Sequence, residues 1–247
     1  MNEFYIDINC DVGEGVGNEA LLLPLISSCN IACGGHAGNQ ESMFKIARMA
    51  HENGVKVGAH PSYPDRINFG RVSLDISEKE LIASIRGQLA SFARVLKNEK
   101  IELHHIKPHG ALYNDVAKNK GLAQVLLSAI EEFKKLAILY VPYKSVIEQE
   151  AHEKGFKLKR EAFADRSYND DLSLVPRKLP GSVIHEPEKV LQHLLDMVRS
   201  NKVTTLKGEK IEILADTYCI HGDTPFALEI LDYLTQELPK AGIRIKK

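Results

Sequence analysis

Short apolar runs recur along the chain, and stretches of amphipathic pattern lie between them. Extended segments are predicted over residues 4–9, 28–32, 55–59, 103–107, 137–141, 157–163 and 217–220. In the intervening stretches, apolar residues return every three or four positions, the spacing that puts one stripe of a helix against a core. The clearest stripe is Leu81, Ile85, Leu89, Phe92 and Leu96, behind a capping box that starts at Ser77 and ends at Glu80. A second carries Met43, Ile46, Ala47 and Ala50, capped by Asn39 and stopped at Gly54. Val190, Leu191, Leu194, Leu195 and Val198 form a third. Ala227, Ile230, Leu231, Leu234 and Leu238 form the last, with Thr224 expected as its cap and Pro225 in the first helical position. Seven β units alternating with helices imply an α/β fold with a parallel sheet covered by helices. A closed (β/α)7-type barrel is the first expectation, and a flat doubly wound sheet is the alternative, because periodicity does not show closure.

At 247 residues and 44% hydrophobic content, the chain is long enough for one sizeable core, and a single domain over residues 1–247 is expected. The 32 basic and 33 acidic residues leave a formal net charge of -1, which offers no electrostatic footprint for nucleic acid or an anionic membrane. No apolar stretch approaches the roughly 18 residues that span a bilayer, and no basic-then-apolar leader opens the chain. A cytoplasmic protein acting on small molecules is expected, and a homo-oligomer is compatible with this. Cys10, Cys29, Cys33 and Cys219 form no CxxC pair and sit in strand-like sequence, so they are read as reduced and buried.

The polar residues at the strand exits change the picture from a fold to an enzyme. His36, His60, His109 and His221 each stand beside Gly or Pro just past an apolar run. In parallel barrels the catalytic groups come from the C-terminal ends of several strands, so four such histidines imply one shared site. Asp7, Asn9, Asp11 and Glu14 follow the first run, and Asp165 and Arg166 follow the sixth. Asp7, Asn9 and Asp11 share strand parity; Asp11 is expected at the rim, while Asp7 reads equally well as a buried polar residue tied to backbone amides. Imidazoles and carboxylates on separate strands suit a divalent metal on Asp11, His60 and His109, but no HExxH-type signature selects that over metal-free proton transfer. Lys107 and Arg166 are placed to hold an anionic ligand, with internal ion pairs such as Asp165 with Arg166 or Arg71 with Asp65 as the alternative. His51, His152 and His193 fall off the apolar stripes and are expected in solvent. His104 and His105 point to opposite faces of one strand, and a packed structural role is favoured for them. The glycine-rich segment Val12 to Gly17 lacks GxGxxG spacing, and neither a GxxxxGK[ST] loop nor a GxSxG elbow occurs.

Six motifs, in order, resemble the LamB/YcsF family over nearly the whole chain. They are Asp7-Ile8-Asn9-Cys10-Asp11-Val12-Gly13-Glu14, the run Asn30 to Gly38, Gly58 to Asp65 with Phe69-Gly70-Arg71, Lys107-Pro108-His109-Gly110-Ala111-Leu112-Tyr113-Asn114, Phe163 to Arg166, and His221-Gly222-Asp223-Thr224-Pro225. The resemblance implies a β/α barrel like that of the glycoside hydrolase/deacetylase superfamily. It implies ATP-dependent opening of the lactam 5-oxoproline to L-glutamate, carried out with partner subunits B and C, with ATP bound here or by those partners. By position, the Asp and two His that hold a metal in related deacetylases correspond to Asp11, His60 and His109. Gly35 departs from the bulky aromatic expected before His36, and Asn39 from an Asp after Gly38.

The candidate set is then Asp11, Glu14, His60, His109 and Asp165 for catalysis, and Asn9, His36, Tyr63, Lys107, Arg166 and His221 for substrate. In this reading a carboxylate such as Asp11 activates water, His60 or His109 protonates the ring nitrogen, and Lys107 or Arg166 holds a carboxylate or phosphate. The rival functions are a metal-dependent deacetylase and a non-catalytic lactam-binding subunit.

Overall fold

The computed structural model describes residues 4–224 and 226–247. Seven parallel strands close into a ring: β1 (Ile8–Val12), β2 (Ser28–Ala32), β3 (Lys56–His60), β4 (His105–Ile106), β5 (Ile138–Pro142), β6 (Leu158–Phe163) and β7 (Thr217–His221). Each strand pairs with the next in sequence, and β7 pairs with β1 through Tyr218 opposite Ile8 and His221 opposite Asp11. The closed ring rules out the flat doubly wound sheet.

Alternation along the strands divides two chemistries. Ile8, Cys10, Cys29, Ile31, Val57, Ala59, Ile106, Leu139 and Val141 pack outward into one continuous apolar core shared with the helices. Stripes on the helices Gln40–Glu52 and Glu78–Glu99 complete that layer through Met43, Ile46, Ala47, Leu81, Ile85, Leu89 and Phe92. Each large side chain among these contributes about 1.5–3 kcal/mol when fully removed from water. Both helices begin as their sequences require: Asn39 and Ser77 accept the backbone N–H of Ser42 and Glu80, and each N3 side chain reaches back to its cap. All four cysteines are free and buried.

Several expectations change. The segment predicted as one strand over 4–9 is two, because Phe4–Ile6 leaves the ring to pair with Ile243–Ile245. As a result β1 runs to Val12, and Asp11 lies within a strand rather than beyond its end. The last helix, Ala227–Glu237, is preceded by Phe226 as its cap, and the Thr224 hydroxyl instead donates to the His221 carbonyl; Pro225 lies outside the described residues. His193 is not a solvated surface residue, since it is half-buried with its ring 6.1 Å from that of Tyr168. The antiparallel pair Lys202–Thr204 and Lys210–Glu212 was not expected, and neither was the long irregular connection between β6 and the helix Pro187–Ser200. Among the described residues, no helix is long and apolar enough to cross a membrane.

Candidate active site

The inside of the ring is a column of hydrogen-bonded polar groups, where parallel barrels usually pack branched apolar side chains. At its base the Asp7 carboxylate accepts from Ser28 Oγ at 3.0 Å, Thr217 Oγ1 at 2.7 Å and Lys159 Nζ at 3.2 Å, so it is tied to side chains rather than to backbone amides. One level up, Asn30 Nδ2 donates to both Asn9 Oδ1 and Asp11 Oδ1 at 2.7 Å. His105 reaches across the ring to Asn30 Oδ1 at 2.6 Å and stacks on Tyr140, which makes it the packed histidine of its pair. Its imidazole fits because β3 carries glycine there: a Cβ on Gly58 would stand 2.1 Å from His105 Nε2.

Lys107 closes the column. Its ammonium lies 2.9 Å from Asp11 Oδ1, 2.9 Å from Glu161 Oε1 and 3.0 Å from Cys219 Sγ. Burial would lower its pKa, but Asp11, Cys219 and Glu161 together outweigh burial and raise it well above the usual lysine range. Asp11 shows the reciprocal effect: burial opposes its charge, and His60 and Lys107 bring its carboxyl well below the usual range. Glu161, absent from the candidate set, follows Lys159 at the inward parity of β6. That parity was its signal, but no Gly or Pro marks it as a strand exit.

Above the column, three imidazoles and a carboxylate converge. His60 Nδ1 donates to the Lys107 carbonyl at 2.7 Å, and His109 Nε2 donates to the Phe69 carbonyl at 3.0 Å. A carbonyl only accepts, so these bonds place one proton on each ring and turn His60 Nε2 and His109 Nδ1 toward each other, 2.9 Å apart. Glu14 Oε1 stands 3.2 Å from His109 Nδ1, 3.9 Å from His60 Nε2 and 3.0 Å from His36 Nε2, while Asp11 Oδ2 is 3.4 Å from His60 Nε2. His36 and His109 stack with centroids 3.6 Å apart. The turn supplying the Phe69 carbonyl needs left-handed backbone at Phe69 (φ 55°) and Gly70 (φ 62°), and a Cβ at Gly70 would come within 3.1 Å of both His36 and His109. Burial lowers His36 to about 4 and also lowers His109. Burial opposes charge on His60, but the Asp11 carboxylate beside it raises its pKa.

On the far side of the mouth, His221 Nδ1 lies 3.0 Å from Asp165 Oδ1, and Asp165 also accepts the His221 backbone N–H at 2.9 Å. Burial opposes charge on Asp165, but His221 holds its carboxyl below the usual range. This bond leaves Nε2 of His221 free for the cavity. Donor atoms of Asp11, Cys219 and His221 lie within 4.8 Å of one another.

One cavity of about 590 Å³ gathers Asp11, His60, Lys107, His109, Arg166 and His221, so the shared site expected from the strand exits is present. His36 and Glu14 lie behind it and face a second cleft beside the loop that contains Gly13 and Gly15. Asn9 is fully buried below Asp11, and Tyr63 donates its hydroxyl to Asp115 at 3.0 Å; neither lines the cavity. Arg166 spends its guanidinium on the carbonyls of Ser182 and Val175, bracing the wall formed by Ser173 to Lys178. The rim is instead cationic through Arg71, Lys118, Arg177 and Lys178. Arg71 pairs with Asp223, not with Asp65, and Arg177 lies 3.8 Å from the same carboxylate, which does not itself line the cavity.

The donor set suits a divalent cation. Two imidazole lone pairs of fixed tautomer converge with carboxylate oxygens, and backbone carbonyls hold the other ring nitrogens, as supporting partners do at metal sites. Asp11, Glu14 and Glu161 also outnumber the single ammonium of Lys107 in the same buried space.

The comparisons agree with this architecture. Residues 6–247 match the LamB/YcsF family. The A subunit of 5-oxoprolinase from Symbiobacterium thermophilum is 40% identical over 245 residues, 97% of this chain and 94% of that protein. The lactam utilization protein from Thermus thermophilus superposes with a TM-score of 0.91 at 36% identity, covering 98% of this chain and 99% of that one. The T48 deacetylase, solved with substrate, reaches a TM-score of 0.50 at 11% identity over 98% of this chain and 87% of its own, a likeness of fold alone. The chain belongs to the LamB/YcsF family.

Proposed function

We propose that this chain opens the ring of 5-oxoproline to give L-glutamate within an ATP-dependent 5-oxoprolinase, with subunits B and C supplying the rest of the assembly. The observation that carries the reading is the pairing, across one cavity, of the His60–His109 cluster with the Asp165–His221 dyad. Hydrolysis of a lactam needs a base for water on one side and an acid for the departing nitrogen on the other. The names of the relatives point to the same substrate and to a multi-subunit enzyme.

In this reading the carboxylate of the substrate meets the cationic rim of Arg71 and Arg177. The amide carbon, made electrophilic by phosphorylation of its oxygen at the expense of ATP, lies over Asp11. Water adds to that carbon while its proton passes to Asp11 or, with no metal on Nδ1, to the neutral imidazole of His109. The C–N bond then breaks as protonated His221 delivers a proton to nitrogen, which leaves an acyl phosphate, and a second water hydrolyses that to the carboxylate of glutamate and free phosphate. Asp165 keeps His221 in the tautomer that this transfer needs. A divalent cation on Asp11 or Glu14 with His60 and His109 would polarise the amide oxygen. Lys107 keeps Asp11 ionised, so this reading places it beneath the substrate rather than on it.

Without a Walker A loop, the isolated chain is expected to show negligible 5-oxoproline-dependent ATP hydrolysis and to gain it on mixing with subunits B and C. Lactam-dependent ATP turnover by the chain alone, unchanged by those partners, would place the nucleotide site here and overturn the division of labour.

A further inference from the structure

The carboxylates near the histidines differ in how their charge is met. Asp11 is fully served: Oδ1 receives Lys107 Nζ and Asn30 Nδ2, and Oδ2 faces His60 at 3.4 Å. Glu14 is not. Among the described residues no lysine or arginine lies within ion-pair distance of it; its partners are His36, His60 and His109, and its side chain is 2% exposed. A buried carboxylate without a cation is costly. Its Oε1 is also the oxygen nearest to the lone pair of His109, at 3.2 Å.

We propose that the carboxylate ligand of a divalent metal in this chain is Glu14, with His60 Nε2 and His109 Nδ1 as its partners, and that Asp11 is not a primary ligand. His36 acts on the metal through Glu14: its Nε2–H, 3.0 Å from Oε1, fixes the carboxylate, and the stack on His109 fixes the ring. Hydrogen-bonded ligating carboxylates are a usual feature of such sites. Three protein ligands would leave a position open for water or substrate, and Asp11 lines the adjoining cavity. The inference is independent of the lactam reading, because metal binding is read without substrate.

The test uses the full chain, stripped of metal and titrated with Co2+ by calorimetry and visible absorption. The wild type is expected to bind a single Co2+ with the absorption of a nitrogen and oxygen site. Glu14→Gln should weaken binding by at least about a hundredfold, the upper scale for loss of a supporting partner alone, and His36→Asn by about tenfold or more. Asp11→Asn should bind within about threefold of wild type, well short of the roughly tenfold that even a supporting partner costs. Circular dichroism checks that each variant folds. Should Asp11→Asn fail to fold, Asp11→Ser takes its place, since Lys107 keeps Glu161 as its counter-charge in either variant. Loss of binding in the Asp11 variant with retention in Glu14→Gln would overturn the assignment, as would a wild-type chain that takes up no Co2+, Zn2+ or Ni2+.

Discussion

Lys107 is a structural residue at a catalytic address. Its ammonium is buried between Asp11 and Glu161, and removing one member of such a pair typically costs about 3–5 kcal/mol because the partner charge stays buried. Lys107→Met is expected to lose stability on that scale, read as a shift of the urea midpoint at neutral pH. A loss below about 1 kcal/mol would mean that the carboxylates had simply taken up protons. Asp165→Asn has a different expected signature. The residue is fully buried against His221, so its loss should leave the affinity for substrate unchanged while kcat falls by about 100- to 10,000-fold in the reconstituted enzyme. A raised KM with unchanged kcat would instead make the dyad a binding device.

At the scale of elements, the polar column depends on how β3 and β4 share space. Gly58 leaves room for the His105 ring, so Gly58→Ala is expected to force the strands apart, at about 1–3 kcal/mol for overpacking. Adding His105→Ser should recover part of that cost, and strictly additive losses in urea unfolding would contradict the shared-space account. The sequence carried this layout unevenly. Gly and Pro beside His60, His109 and His221 marked the strand exits, and the Ser77 and Asn39 boxes marked the helices. The polar interior was hidden, because inward Asn30 alternates with Cys29 and Ile31 as it would on an ordinary solvated strand face, and Lys159 and Glu161 flank Arg160 in a charged run that reads as solvated. Arg166 and Tyr63 looked like ligands because a motif fixes residue identity and not the direction of a side chain. Gly35 was legible only as a departure: a Cβ there would stand 2.4 Å from Ser62 Oγ and 2.5 Å from Gln88 Oε1, so this chain has no space for the aromatic ring that the resemblance suggests.

For the whole molecule, closing polar and charged residues inside a ring makes stability depend on pH. Burial brings His36 and His104 to about 4 and His105 well below its ordinary value of 6.5. The unfolded chain therefore binds more protons than the folded one below about 6.5, so these groups contribute stability at neutral pH that is lost as pH falls towards about 4. Asp165, depressed in the fold, adds a loss of the same sign at lower pH. Urea midpoints taken at about pH 7.5, 6 and 5 should decline in that order. A midpoint that rises on acidification would contradict the buried neutral state of these histidines.

The same enclosure suits the barrel mouth to the proposed reaction, since groups held out of water keep fixed protonation and direction, and electrostatic interactions there are stronger than in solvent. The most direct test is glutamate release from 5-oxoproline with ATP by the chain reconstituted with subunits B and C, comparing wild type with folded His109→Ala and His221→Ala. Loss of a general acid or base predicts a fall of at least about a hundredfold for each variant. Near-normal release by both would show that the ring-opening chemistry lies elsewhere in the assembly.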